Sequence, residues 1–122
     1  MKLCILGGGL TGLSLAKSLV KKGLSIDIFL NKKKSDFNRS RTIGISNDNL
    51  MYFNKEILDI KKLFWDIKKI EIYSENLRNE KILNFENNNK TVFAIIRNYQ
   101  LQSKLLKSLK KDKLCKFKQN FD

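Results

Sequence analysis

Residues 2–12 read KLCILGGGLTG, and the fold turns on how they are read. Lys2 to Leu6 is a short apolar run that predicts a buried strand. Three glycines end it. Leu10 to Lys22 then places Leu10, Leu13, Ala16 and Val20 on one face and Lys17, Lys21 and Lys22 on the other. That is helical spacing. Lysines in its last turn suit the negative end of the helix dipole, and Gly23 is a natural stop. Ser25 to Leu30 (SIDIFL) predicts a second strand. Residues 2–30 therefore read as one β-turn-α-β unit.

The glycines fall as Gly7-x-Gly9-x-x-Gly12, the spacing that seats a dinucleotide pyrophosphate. Each has a separate physical task. Gly7 permits the tight turn out of the strand. Gly9 leaves no side chain between backbone and phosphate, and Gly12 lets the helix pack close to the sheet. The free N–H groups around Leu10, Thr11 and Gly12 and the positive helix end would then face the anion. A glycine-rich turn with no ligand is the plain alternative. An acidic residue that holds a ribose is expected about 20 residues further on, at the end of the second strand. Leu30 stands there instead. Asn31 is adjacent and could hydrogen-bond a ribose, and Asp27 lies too early and is expected to face a sheet surface.

Composition narrows the function classes. The chain has 122 residues, which suits one domain. It has no histidine, so histidine metal sites, histidine bases and Ser-His-Asp triads are excluded. Cys4 and Cys115 lack metal-ligand spacing and read as buried or half-buried thiols; no metal is expected. The net charge is +13, but the excess is nearly all lysine, 21 Lys to 4 Arg, spread along the chain. Lys32–Lys34 and the Lys61-Lys62 and Lys68-Lys69 pairs read as solvated surface. Nucleic acid is therefore not the expected partner. No apolar run reaches the roughly 18 residues of a membrane span, and the N-terminus makes a poor signal peptide. A cytoplasmic chain is expected, with peripheral contact at the inner membrane left open.

Beyond a polar loop at 31–40, Arg41 to Ser46 (RTIGIS) is short and apolar. Residues 47–65 look helical, with Asn47 or Asp48 as cap. Ile70, Ile72, Ile82, Leu83 and Phe85, then Val92 to Ile96, suggest a small antiparallel sheet. Asn98 to Lys111 is amphipathic through Leu101, Leu105, Leu106 and Leu109. Leu114 to Phe117 reads as a last strand.

Taken in order, RTIGIS, the strand opening at Ile67 and the stretch IIRNYQLQ at 95–102 resemble the N-terminal part of the FAD-dependent aromatic hydroxylases. The likeness is greatest to the 2-polyprenyl-phenol hydroxylases of ubiquinone biosynthesis. It implies an α/β fold: a Rossmann-like FAD-binding unit over residues 1–46, the start of a substrate-domain sheet over 67–97, and a return to the FAD domain over 98–118. It also implies that Gly7, Gly9 and Gly12 meet the FAD pyrophosphate, and that Arg41 approaches the flavin side. Asn98 and Gln102 would lie close to the cofactor. Leu30 would replace the family's ribose-binding glutamate. The implied reaction hydroxylates a phenolic, polyprenylated substrate with oxygen and NAD(P)H, the flavin supplying the redox chemistry. The family's enzymes are longer, so the chain is expected to be a fragment, a truncated product or one part of a split protein that a second polypeptide completes. An inactive remnant and another FAD-binding oxidoreductase remain alternatives.

Overall fold

The computed structural model describes residues 1–31, 39–76 and 78–119. Lys32–Lys34 lie outside them. Strand β1 (Lys2–Leu6) leads through the glycine loop to helix α1 (Leu10–Lys21), and Gly23, at φ +81°, turns the chain into β2 (Ser25–Leu30). The three elements stand within a residue of their expected bounds. Strand β3 (Thr42–Ser46) and short helix α2 (Asn47–Tyr52) follow. A π-helical turn (Phe53–Ile57) leads to β4 (Phe64–Ile67), then β5 (Lys69–Tyr73), β6 (Lys81–Glu86) and β7 (Phe93–Arg97). Helix α3 (Asn98–Lys110) returns to β8 (Cys115–Gln119).

The strands form three sheets: parallel β1-β2-β8, antiparallel β3-β7-β4 and the hairpin β5-β6. The order β8-β2-β1 matches the 3-2-1 half of a doubly wound dinucleotide fold. One face of that sheet packs on α1 and α3. Leu13, Ala16 and Val20 of α1, Ile26 and Ile28 of β2, and Leu101, Leu105 and Leu109 of α3 make the core. Ala94 and Ile96 of β7 with Leu50, Ile57 and Ile60 join it to the second sheet.

Three expectations are corrected. The helix over 47–65 ends at Tyr52, is followed by one π-helical turn, and gives way to a strand at Phe64. Leu50, Ile57 and Ile60 keep helical spacing and are buried, so the apolar pattern runs past the helix. The Asn54 side chain ends it by accepting from Ile60 N at 2.8 Å, and Asp59 accepts from Lys61 N at 3.0 Å. Short polar side chains compete with the helix ladder in this way. Second, the strands of 70–96 do not share one sheet: β5 and β6 pair only with each other, and β7 lies between β3 and β4. Residues 42–46 thus pair in the second sheet, not beside β1 and β2. Third, Cys4 is exposed, on the sheet face opposite the helices; Cys115 is buried, and burial pushes its thiol pKa up.

Candidate cofactor-binding site

The glycine loop is shaped by three different constraints. Gly7 has φ +102°, a region where any Cβ is strained. Its N–H donates to Phe29 O at 2.9 Å, tying the loop to the end of β2. A Cβ on Gly9 would meet nothing within 4 Å, so space is open above the helix start. A Cβ on Gly12 would lie 2.9 Å from Gly7 O and 3.2 Å from Ile5 Cγ2, so α1 can sit this close to β1 only without a side chain there.

Gly9 is the N-cap of α1, with no side-chain capping bond and no acidic residue in the first turn. Leu13 N takes Gly9 O at 3.0 Å. The N–H groups of Leu10, Thr11 and Gly12 therefore have no acceptor within the helix. Together with the helix dipole they form an anion seat.

The middle glycine is braced on both sides. Leu30 Cδ2 occupies the space a Cβ on Gly8 would need. Gln102 Nε2 donates to Gly8 O at 2.7 Å, and Gln102 is buried. Its amide is thus engaged in holding the loop. Leu30 turns inward against the core, and Asn31 is exposed just beyond it.

At the start of α3, Asn98 N donates to Arg41 O at 3.0 Å, so these two residues adjoin. Asn98 Oδ1 is buried and has no hydrogen-bond partner. A buried acceptor without a donor is costly, and a ligand donor would relieve it. Arg39 stacks over the Tyr99 ring at 5.9 Å and Arg97 over Trp65 at 5.2 Å. The exposed Arg41 side chain has no ion pair or ring contact among the described residues.

The first turns of α3 therefore gather most of the expected residues. Asn98 touches Arg41, and one turn later Gln102 touches the glycine loop. Asn31 follows Leu30 at the end of β2. Asp27 faces the opposite side of the sheet, between Lys118 at 2.7 Å and Lys2 at 3.0 Å. Hydrogen bonds from both lysines hold its carboxyl below the usual range. The role of Gln102 as a brace escaped the sequence reading. The signal was there: a polar residue set between Leu101 and Leu105 on a buried face needs a partner. No cluster of side chains able to hold a metal occurs among the described residues.

No family profile and no characterised protein sequence matches the chain. Solved structures do. A p-nitrophenol 4-monooxygenase from Pseudomonas putida superposes with a TM-score of 0.76 at 15% identity, over 97% of this chain and 31% of its own. PqsL of Pseudomonas aeruginosa, a probable FAD-dependent monooxygenase, gives 0.77 at 13%, over 98% and 32%. The fold is that of part of an FAD-dependent monooxygenase. HpxO of Klebsiella pneumoniae, solved with FAD and uric acid, gives 0.67 at 18%, over 96% and 30%. The chain spans about a third of the length of these proteins. The residues present fit a dinucleotide: space is open at Gly9, the uncapped amides at Leu10–Gly12 suit an anion, and the orphaned Asn98 oxygen calls for a ligand donor. No helix among the described residues is long and apolar enough to cross a membrane.

Proposed function

We propose that the chain is the FAD-binding N-terminal part of an aromatic hydroxylase that acts on a phenolic, polyprenylated ubiquinone precursor. The observation that carries the FAD reading is the convergence on α3: one helix braces the phosphate loop through Gln102 and presents Asn98 beside Arg41. The substrate class rests on the resemblance of RTIGIS and IIRNYQLQ. The bound flavin would activate oxygen with electrons from NAD(P)H.

This chain's own residues bind and orient. The amides of Leu10, Thr11 and Gly12 hold the pyrophosphate, and Gly9 lets it approach. Gln102 keeps Gly8 in place. Asn98 accepts a hydrogen bond from the ligand, and Arg41 supplies positive charge on that side. Nothing in this set moves a proton. The remaining parts of the reaction belong to residues outside this chain. A second polypeptide that pairs with the free edge of β1 would supply them, in the cytoplasm or at the inner membrane surface.

Titration of the purified chain with FAD tests the reading. Binding in the micromolar range, lost in Gly9→Val while that variant still folds, supports it. No binding at about 100 µM, equivalent to an affinity weaker than roughly −5.5 kcal/mol, sinks it.

A further inference from the structure

The end of β2 adjoins the glycine loop, and its last side chain is apolar. Leu6 pairs with Phe29, and the Gly7 N–H donates to Phe29 O at 2.9 Å, so the loop leaves β1 level with the last residues of β2. Leu30 comes next. Its Cδ2 fills the space a Cβ on Gly8 would need. Side chains two apart on a strand share a face, so Leu30 continues the inward row of Ile26 and Ile28 and packs against their core.

In dinucleotide folds a carboxylate at this place accepts a hydrogen bond from the ribose 2′-hydroxyl. It also repels a phosphate carried there instead. A leucine does neither. The single acid of β2, Asp27, lies on the other face of the sheet, paired with Lys118 at 2.7 Å and Lys2 at 3.0 Å. Turning it towards the loop would take Ile26 and Ile28 out of the core, because a slip of one residue flips every side chain of a strand.

The polar groups of the site lie elsewhere. The amides of Leu10, Thr11 and Gly12 await an anion, and the unpartnered Asn98 Oδ1 sits at the start of α3. These address a diphosphate and the part of the ligand towards α3. A site rejects an analogue that lacks a hydroxyl when one of its own buried polar groups is then left unpaired. The Leu30 methyls have no such bond to lose. The chain carries +13, so its field does not oppose an added phosphate either.

We infer that Leu30 makes the site indifferent to the adenosine ribose: the chain selects its ligand by the diphosphate and accepts 2′-hydroxyl, 2′-deoxy and 2′-phospho adenine nucleotides alike. The inference rests on the cofactor reading and narrows it.

Amide chemical shifts of the isotopically labelled 122-residue chain read binding at Gly7–Gly12 directly and need no activity. FAD, ADP, 2′-deoxy-ADP and 2′-phospho-ADP are the probes, each added to about 5 mM so that millimolar affinities are seen. All four should shift the amides of the loop. ADP and 2′-deoxy-ADP should bind within about twofold of each other, and 2′-phospho-ADP at least as tightly as ADP. Leu30→Glu should separate them: ADP at least about tenfold tighter than 2′-deoxy-ADP, and 2′-phospho-ADP weaker than ADP. A preference of the unaltered chain for ADP over 2′-deoxy-ADP of about tenfold or more overturns the inference. If Asn31→Ala removes that preference, the ribose belongs to Asn31. A folded Leu30→Glu chain that still treats the three nucleotides alike overturns it too, because the end of β2 then does not face the ribose. So does FAD binding without ADP binding, since the diphosphate would then not carry the selection. If neither FAD nor ADP shifts any amide of the loop, the cofactor reading itself fails and the inference falls with it.

Discussion

The glycine-loop body and the β5-β6 hairpin use similar residues to opposite ends. In the body, Leu13, Ile26, Ile28, Leu101, Leu105 and Leu109 are sealed between a sheet and two helices, and the polar atoms left over, the first amides of α1 and Asn98 Oδ1, gather at one edge. In the hairpin, Ile72, Leu83 and Phe85 stay in water while the polar residues satisfy one another around Glu71. An unpaired group in the body calls for a small polar ligand. An uncovered apolar face in the hairpin calls for packing by further polypeptide rather than for a small ligand. The same bookkeeping of unsatisfied groups thus separates a ligand site from a packing face.

The sharpest way to break that contrast is by truncation. Leu105→Ala removes a fully buried side chain and should cost about 2–5 kcal/mol, a large share of a small domain's stability. Leu83→Ala, at an exposed position, should stay within about 0.5 kcal/mol. Urea denaturation followed by circular dichroism reads both. Equal losses would show that the hairpin belongs to the body's core after all.

A second test divides the glycines by task. Gly12→Val should lower stability and abolish FAD binding together, because a Cβ there meets Gly7 O at 2.9 Å. Gly9→Val should lower affinity at least about tenfold, near 1.4 kcal/mol, with little change in thermal midpoint, because its Cβ meets open space. If both variants lose stability alike, the space above Gly9 is not a ligand site. Leu30→Glu is a smaller change in the same site. It places a carboxylate where dinucleotide folds hold the ribose and should tighten FAD binding severalfold. Unchanged affinity in a folded variant would mean that the end of β2 does not face the adenosine.

These variants also mark what the sequence made legible. The βαβ unit was readable because its three signals coincide: an alternating run, glycines in register and a 3.6-residue apolar period. The site residues of α3 were readable only through resemblance, since nothing local says that Asn98 meets Arg41 across the chain. Helix α2 was read too long because burial of Leu50, Ile57 and Ile60 keeps a helical period after the hydrogen bonds have stopped. The sheets of 67–97 were read as one because alternation identifies a strand and not its neighbour. Strand pairing is settled by long-range contact: β3 reaches across to β7, and Gly44 is a glycine because the Phe93 ring occupies the space a Cβ would need. That steric requirement is invisible until the two strands are brought together.

The smallest expected effect concerns the hairpin's polar face under acid. Hydrogen bonds from Lys69, Lys81 and Tyr73 hold the Glu71 carboxyl at about 2, below its ordinary 4.5. A carboxyl whose pKa falls on folding stabilises the folded form above its unfolded value and loses that contribution as pH drops through the folded one. The support Glu71 gives the hairpin should therefore be complete above about pH 4.5 and fade towards pH 2. Because the group lies at the surface, salt weakens the effect. Hydrogen exchange across β5 and β6 should show protection falling over that window by a few-fold, at constant temperature. Glu71→Gln should start with lower protection and show a flatter pH response in the hairpin. Asp27, held low by Lys118 and Lys2, should give the body its own acid response, which Glu71→Gln leaves unaltered. If the substitution flattens the response of both regions, hairpin and body open as one unit, and the separation between them fails.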